Sequence, residues 1–197
     1  MKLSILIPTL NEPESIKYLR RLRGILDPQV AKYPGEVEIK IHDAGRSMPT
    51  GTKRNELIAN SVGEYFCQID CDDIVDSYYV YELMTAIWVN PDVITFRGSM
   101  LTDGKNSKPF VIRKDSPYEE RNGIYFRFAN HLCCFKRSVV ESVKFQPIWE
   151  REDYYWALEI QKRKLLKSEV HIERHMYTYD FKTNKPHYGS QSARLRR

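Results

Sequence analysis

The stretch Gly63-Glu64-Tyr65-Phe66-Cys67-Gln68-Ile69-Asp70-Cys71-Asp72-Asp73 sets a short apolar run directly against three carboxylates within four residues. Tyr65 to Ile69 has the length and composition of a buried strand, and Gly63 ahead of it reads as a helix stop. The acids follow at the strand's carboxyl end, where open parallel α/β sheets bind their ligands. Carboxylates this close repel one another and cost stability unless a cation or a basic side chain screens them. Oxygen-only ligands at such a point suit Mg2+ or Mn2+ bridging phosphates. A helix N-terminus that merely favours aspartate gives the same pattern.

Working outward, strands alternate with helices. Leu3 to Pro8 is apolar and β-branched, as a buried parallel strand should be. Asn11-Glu12-Pro13-Glu14 opens a helix: Asn11 can cap, Pro13 suits an early helical position, and Glu14 has capping-box spacing. Ile16, Leu19, Leu22 and Leu26 give that helix one apolar face. Pro28 and the Tyr33-Pro34-Gly35 turn are expected to end the unit. Glu36 to Ile41 alternates as a second strand, and His42-Asp43-Ala44-Gly45-Arg46 follows as a loop. A helix is predicted from about Thr52 to Val62, and another from a Ser77 cap to Asn90, ahead of a strand from Asp92 to Phe96. This alternation predicts an α/β fold around a mostly parallel sheet. Past Arg97 the pattern loosens: a hairpin around Asp103-Gly104, a turn at Asn122-Gly123, a helix from about Asp153 to Lys164, and strands at Val170 to Ile172 and Met176 to Phe181.

With 197 residues, 42% apolar and 29% charged, the chain reads as one soluble globular domain. No apolar run reaches the roughly 20 residues that cross a bilayer, and Met1 to Pro8 does not resemble a signal peptide. A cytoplasmic protein is expected. Cys67 with Cys71 and Cys133 with Cys134 lack zinc-knuckle spacing and read as buried free thiols, although Cys71, between two aspartates, can lie close to a ligand. The charge is +5, and its basic residues gather late: Lys162-Arg163-Lys164, Lys167, Lys182, Lys185, Arg194, Arg196 and Arg197. A polyanionic partner needs such a segment.

Four ordered motifs resemble family 2 glycosyltransferases of the GT-A fold. Leu3-Ser4-Ile5-Leu6-Ile7-Pro8-Thr9-Leu10-Asn11-Glu12 is similar to their opening strand, and Gly51-Thr52-Lys53-Arg54-Asn55-Glu56 to their Arg-Asn helix start. The stretch from Gly63 to Asp73 matches the strand that leads into their Asp-any-Asp motif, and Arg151-Glu152-Asp153-Tyr154 resembles their Glu-Asp catalytic element. Together they span nearly the whole chain, with a nucleotide-sugar half at 1–97 and an acceptor half at 98–197. The wording of Tyr33 to Ile39 and of Asn130-His131-Leu132 is similar to small phage-encoded members.

The resemblance implies an inverting transfer from a UDP-sugar, assisted by Mn2+ or Mg2+. Pro8, Thr9 and Glu12 would line the nucleotide pocket with Cys71 nearby, Asp43 would bond the pyrimidine or ribose, and Arg54 would face the base or a phosphate. Asp72 would ligate the metal, with Asp70 on ribose, metal or its water. A third ligand is sought among His175, Asp180 and His187, while His171 reads as a surface strand residue. Asp153 would be the general base, and Glu152 would orient it or the acceptor. His131, Trp149, Tyr154 and Trp156 are candidates for the acceptor side, where aromatic rings can stack on a sugar or a base. The loop after the second strand departs from the family, which has a pair of aspartates and Gly-Ser where this chain keeps one acid, Asp43.

The leading acceptor is a hydroxymethylated cytosine in phage DNA, because the basic late segment can follow phosphates and the aromatics near Asp153 can hold a flipped base. A surface polysaccharide or other glycan is the alternative, and a non-catalytic nucleotide-sugar or nucleic-acid binding protein is the reading of another class. A nucleotidyltransferase would need a glycine-rich loop after the first strand, and a dinucleotide-dependent dehydrogenase a Gly-x-Gly-x-x-Gly. Neither is present.

Overall fold

Apolar β-branched runs pair into a sheet here, and the amphipathic segments between them cover it. The structure, a computed structural model, describes residues 1–183. Strand β1 (Leu3–Pro8), buried throughout, lies between β2 (Val37–His42) and β3 (Tyr65–Gln68) and parallel to both. Helices α1 (Pro13–Val30) and α2 (Thr50–Ala59) make the crossovers. Next come the short β4 (Ile74–Val75), α3 (Tyr79–Ile87) and the long β5 (Val93–Thr102). A hairpin leads into β6 (Lys105–Arg113), and β7 (Glu119–Arg121) with β8 (Ile124–Phe128) form a second hairpin. The chain continues through β9 (Cys134–Lys136), α4 (Arg137–Val140), α5 (Glu152–Lys162) and β10 (Glu169–Phe181).

Among the described residues these strands form one mixed sheet. Its centre runs β2-β1-β3-β9-β5-β10, with β9 alone reversed among strands that point the same way. One edge of β5 is divided: Val93 and Ile94 pair with β9, and Arg97 to Thr102 pair with β6. The sheet therefore forks, and β6, β8 and β7 form a branch. This is the α/β architecture expected from the sequence. Because β9 runs against β3, the residues entering β9 sit at the same end of the sheet as those leaving β3. That geometry brings Asn130-His131 to the acidic loop.

Both turns read from sequence have the backbone they need. Asp103 and Gly104 have φ of 50° and 73°, and Asn122 and Gly123 have 53° and 74°, the paired left-handed conformation of tight hairpins. All four cysteines are free and buried.

Several boundaries differ, each because tertiary contacts outweigh a local signal. Helix α1 passes through Pro28 to Val30. Its last turn is held by buried Gln29, whose amide donates to the carbonyls of Ile25 and Asp76 at 3.0 Å and accepts from the Val80 N–H at 2.9 Å. Neither Asn11 nor Ser77 caps a helix: α1 starts from Glu12 without a side-chain cap, Glu14 accepts from the Tyr18 hydroxyl, and Asp76 serves the start of α3 by accepting from the Tyr78 N–H. Leu22 and Leu26 face the core as expected, whereas Ile16 is exposed. The two late strands expected separately are one, β10, with register shifts between Ile172 and Tyr177. No described helix is long and apolar enough to cross a membrane.

Trp156 belongs to the core rather than to an acceptor surface. It is 1% exposed, stacks on Phe145 with centroids 4.6 Å apart, meets Phe135 edge-on, and donates from Nε1 to the Val143 carbonyl. Two residues earlier, Tyr154 is 40% exposed on the same helix. Trp156→Ala should therefore cost about 3–5 kcal/mol of folding stability, read from urea unfolding. Tyr154→Ala should stay within about 0.5 kcal/mol, as exposed positions do. Equal losses would contradict this division.

Candidate active site

The carboxyl ends of β1, β2 and β3 converge with the start of α2, the loop before β9 and the first turn of α5. At the centre lies Arg54, only 2% exposed. Its Nε donates to Glu152 at 3.0 Å, Nη1 to Gln68 at 2.8 Å and Nη2 to Asp70 at 2.8 Å. Burial opposes the charge, but Asp70 and Glu152 outweigh it and raise the guanidinium pKa further. Arg54 is thus a buried strut joining α2, β3 and α5. Its neighbour Asn55 locks the same region by exchanging two hydrogen bonds with the backbone of Phe145.

Glu152 and Asp153 are adjacent in sequence but face different surroundings. Glu152 has a side chain 6% exposed and bound to Arg54, so it holds the strut and cannot meet an acceptor. Burial raises its pKa. Asp153 has a side chain 36% exposed and lies 3.2 Å from His131 Nδ1. His131 Nε2 lies 3.6 Å from Asp70. The imidazole is buried between the two carboxylates in ion-pair contact, without formed hydrogen bonds.

Burial and the Arg54 charge push His131 down, but the two aspartates prevail and raise its pKa to about 9. Burial likewise pushes Asp70 up, yet Arg54 and His131 hold it well below the usual carboxylate range. Asp153 follows the same pattern, with His131 overcoming burial. His131, expected to face an acceptor, instead couples Asp70 to Asp153.

The acids of the loop divide in role. Asp73 is fully buried, accepts from the Tyr177 hydroxyl at 2.7 Å and the Asp180 N–H at 3.3 Å, and braces the loop. Burial, then Asp70 and Asp72, raise its pKa well above the ordinary value. Asp72 is half-buried. Arg21, from α1, reaches the carbonyls of Asp72 and Asp73, a cationic contact that the sequence did not reveal. Cys71 packs into the core cluster rather than lining a ligand surface.

The other proposed metal ligands are used elsewhere. His175 contacts the Ser99 hydroxyl at 3.0 Å. Asp180 accepts from the Gly104 N–H at 2.9 Å and pairs with Lys182. His187 lies outside the described residues. Among those described, no three His, Cys, Asp or Glu side chains converge into a group that could hold a metal ion. His171, read as a surface residue, has a side chain only 6% exposed, against Thr95.

The loops after β1 and β2 are tied together by residues that spacing could not single out. Buried Lys53 donates from Nζ to the carbonyls of Thr9 at 3.1 Å and Gly45 at 2.5 Å. Its pKa is lowered by burial. Glu12 pairs with Arg46 across the same two loops. His42, standing where the family has an acid, contacts Glu56 at 2.7 Å and accepts from the Ala44 N–H. Pro8 and Thr9 are buried at the end of β1, and Asp43 is exposed. On the far side, Tyr154 joins Tyr118 and Phe128 in an aromatic group. Trp149 is half-buried.

The chain is similar in structure to TarS of S. aureus. It matches one TarS crystal structure with a TM-score of 0.63 and 15% identity, covering 91% of this chain and 37% of that one. It matches TarS 1–349 in complex with UDP-GlcNAc with a TM-score of 0.64 and 15% identity, over 98% of this chain and 61% of that one. For the complex with UDP the values are 0.64 and 16%, over 91% and 60%. The chain thus spans from about a third to three fifths of those chains. No family model and no curated protein sequence matches it. At this identity the likeness establishes the fold: a mixed α/β architecture shared with TarS.

Arg54→Met should destabilise the fold by about 3–5 kcal/mol, because it leaves Asp70 and Glu152 without their buried counter-ion. A urea midpoint unchanged by the substitution would refute the strut. His131 gives a pH signature. Its pKa rises on folding from 6.5 to about 9, so the stability it contributes is full below about 6.5 and is lost as pH rises through 9. The loss of stability between pH 6.5 and 9.5 should be smaller in His131→Asn than in the parent protein, by urea unfolding at each pH.

Proposed function

We propose that this chain is an inverting glycosyltransferase that takes a UDP-sugar, with residues 1–97 holding the donor and the later half presenting the acceptor. The observation that carries this reading is the single imidazole of His131 set between Asp70, on the donor-side loop, and Asp153, at the start of α5. The fold is that of TarS, a family 2-type glycosyltransferase solved with UDP-GlcNAc and with UDP. The four motifs gather around one end of the sheet.

The roles follow from charge. A diphosphate leaving group carries the negative charge that develops, so the acidic loop requires a cation beside it. Mg2+ is commonly held by one or two carboxylates together with substrate phosphates and water. Carboxylate oxygens suit so hard an ion, and Asp72 would be its main ligand with Asp70 as second. When bound, Mg2+ or Mn2+ would neutralise the departing diphosphate. Asp70 is already countered by Arg54 and His131, which keeps it ionised and fixed. The loops tied by Lys53 and by Glu12 with Arg46 form the floor for the nucleotide, and Asp43 stands exposed to meet the base or ribose.

Asp153 takes the proton of the acceptor hydroxyl. The freed electron pair of that oxygen forms the bond to the anomeric carbon, and the bond to the diphosphate breaks on the opposite face, inverting the centre. His131, protonated between its two aspartates, orients Asp153 and does not itself serve as base. Glu152 acts only through Arg54.

For the acceptor, a hydroxymethylated base in DNA is the leading reading, supported by the late basic residues and the exposed rings of Tyr118 and Tyr154 beside Asp153. A glycan is the alternative. UDP binding by calorimetry and UDP-GlcNAc hydrolysis with and without Mn2+ test the donor half. Absence of UDP binding would sink the proposal. Asp153→Asn should lower transfer by about 10²–10⁴-fold with UDP affinity kept, and transfer that survived would remove Asp153 as base.

A further inference from the structure

A cavity of about 410 Å3 lies beside the C-terminal end of α5, lined by Lys114, Asp115, Gln161, Lys164, Leu166 and Lys167. Asp115 pairs with Lys114. The ammonium groups of Lys164 and Lys167 form no ion pair among the described residues, although the Lys167 backbone N–H donates to the Asp92 carboxylate, so the cavity lining carries more lysine than acid. Lysines gathered at the rim of one cavity raise the local positive potential and so suit an anion.

The segment that borders the cavity also reaches the first turn of α5, where the proposed base lies. Gln161 donates to the Lys114 carbonyl and fixes that segment against α5. Four residues on, the Tyr118 ring meets Tyr154 edge-on at 5.9 Å, beside Asp153. Residues 114–118 therefore run along α5 from the lysines back to the base. Seven helical residues separate Gln161 from Tyr154, a rise of about 10 Å. In a nucleic-acid strand that covers about three steps of roughly 3.4 Å. At the near end, the Arg127 guanidinium lies over Tyr118 at 4.0 Å, and Phe128 packs against the same ring. Exposed aromatic rings interleaved with cations hold unstacked bases, while lysines hold phosphates. A neutral glycan would use the rings and leave the lysines idle.

We infer that the cavity of Lys114, Lys164 and Lys167 binds backbone phosphates of a nucleic-acid acceptor whose reacting unit lies against Tyr118 and Tyr154. This rests on the glycosyltransferase reading above and specifies its acceptor path. Polymer phosphates would fill the cavity roughly three or more nucleotides from the hydroxyl that Asp153 deprotonates, Gln161 marking its near edge.

The test is binding of a fluorescent duplex oligonucleotide containing 5-hydroxymethylcytosine, by anisotropy across a salt series. For the double variant Lys164→Glu/Lys167→Glu, affinity at low salt should fall at least tenfold, and the slope of log Kd against log salt should decrease by about 2, near 0.9 for each phosphate no longer neutralised. Lys164→Gln/Lys167→Gln should flatten the slope similarly without reversing charge. Tyr118→Ala should weaken binding with little change of slope, as removal of a stacking ring does. UDP affinity measured on each variant reports an intact fold. Unchanged slopes in both lysine variants would overturn the site, as would a parent protein that binds UDP but no duplex, or one that binds only a neutral oligosaccharide regardless of the lysines. A parent that fails to bind UDP would instead overturn the glycosyltransferase reading.

Discussion

Taking a guanidinium out of water costs several kcal/mol unless its donors and its charge are both met, and Arg54 is among the most enclosed charged side chains of the described residues. Its three partners come from the end of β3 and the start of α5. Each is separated by many residues from α2, yet all must arrive together for the burial to be tolerable. The strut therefore fixes the distance between the acidic loop after β3 and the helix that carries Asp153. Asp70 and Glu152 are held by the same cation, and His131 closes the circuit from the other side. Two cations against three carboxylates leave the group slightly negative, with the most exposed acid, Asp153, facing outward.

Around this centre the polar residues divide by burial rather than by sequence position. Neighbours two apart on α5 meet opposite surroundings: Trp156 fills the core against Phe145, and Tyr154 stays at the surface. The three aspartates after β3 take three different environments: one pinned by cations, one half-buried, one sealed beneath Tyr177. Two identical residues three apart are thus driven in opposite directions, Asp70 towards its charged form and Asp73 towards its protonated form.

Local pattern made much of the fold legible. Period-two alternation and apolar runs placed β1 to β3, and Asp-Gly and Asn-Gly marked both hairpins because few other residues accept that backbone. The helix passing Pro28 was not legible, since its support is Gln29 reaching across to α3. Motif order located Asp70, Asp72 and Asp153. Arg54's inward turn was hidden because its partner Glu152 is 98 positions away, and nothing in a short window distinguishes a buried arginine from a ligand-facing one. Lys53 and His42 were missed for the same reason: their partners are backbone carbonyls and a helix glutamate in other loops. The bridging place of His131 follows from the reversal of β9, a topological fact that no local spacing encodes.

The fork in the sheet has a consequence for how such a protein can change over evolutionary time. Strands β5 and β9 lie side by side, so the stretch between them leaves one strand and returns beside it, carrying β6, β7 and β8 as a branch that touches α5. Its removal or replacement leaves the β5–β9 pairing, the Arg54 strut and the tied loops where they are. Such a branch behaves as a graft on a stock: lengthened, recharged or exchanged, it would change the surface beside Asp153 without disturbing the acidic loop. One part of a single small chain can then diverge faster than the rest.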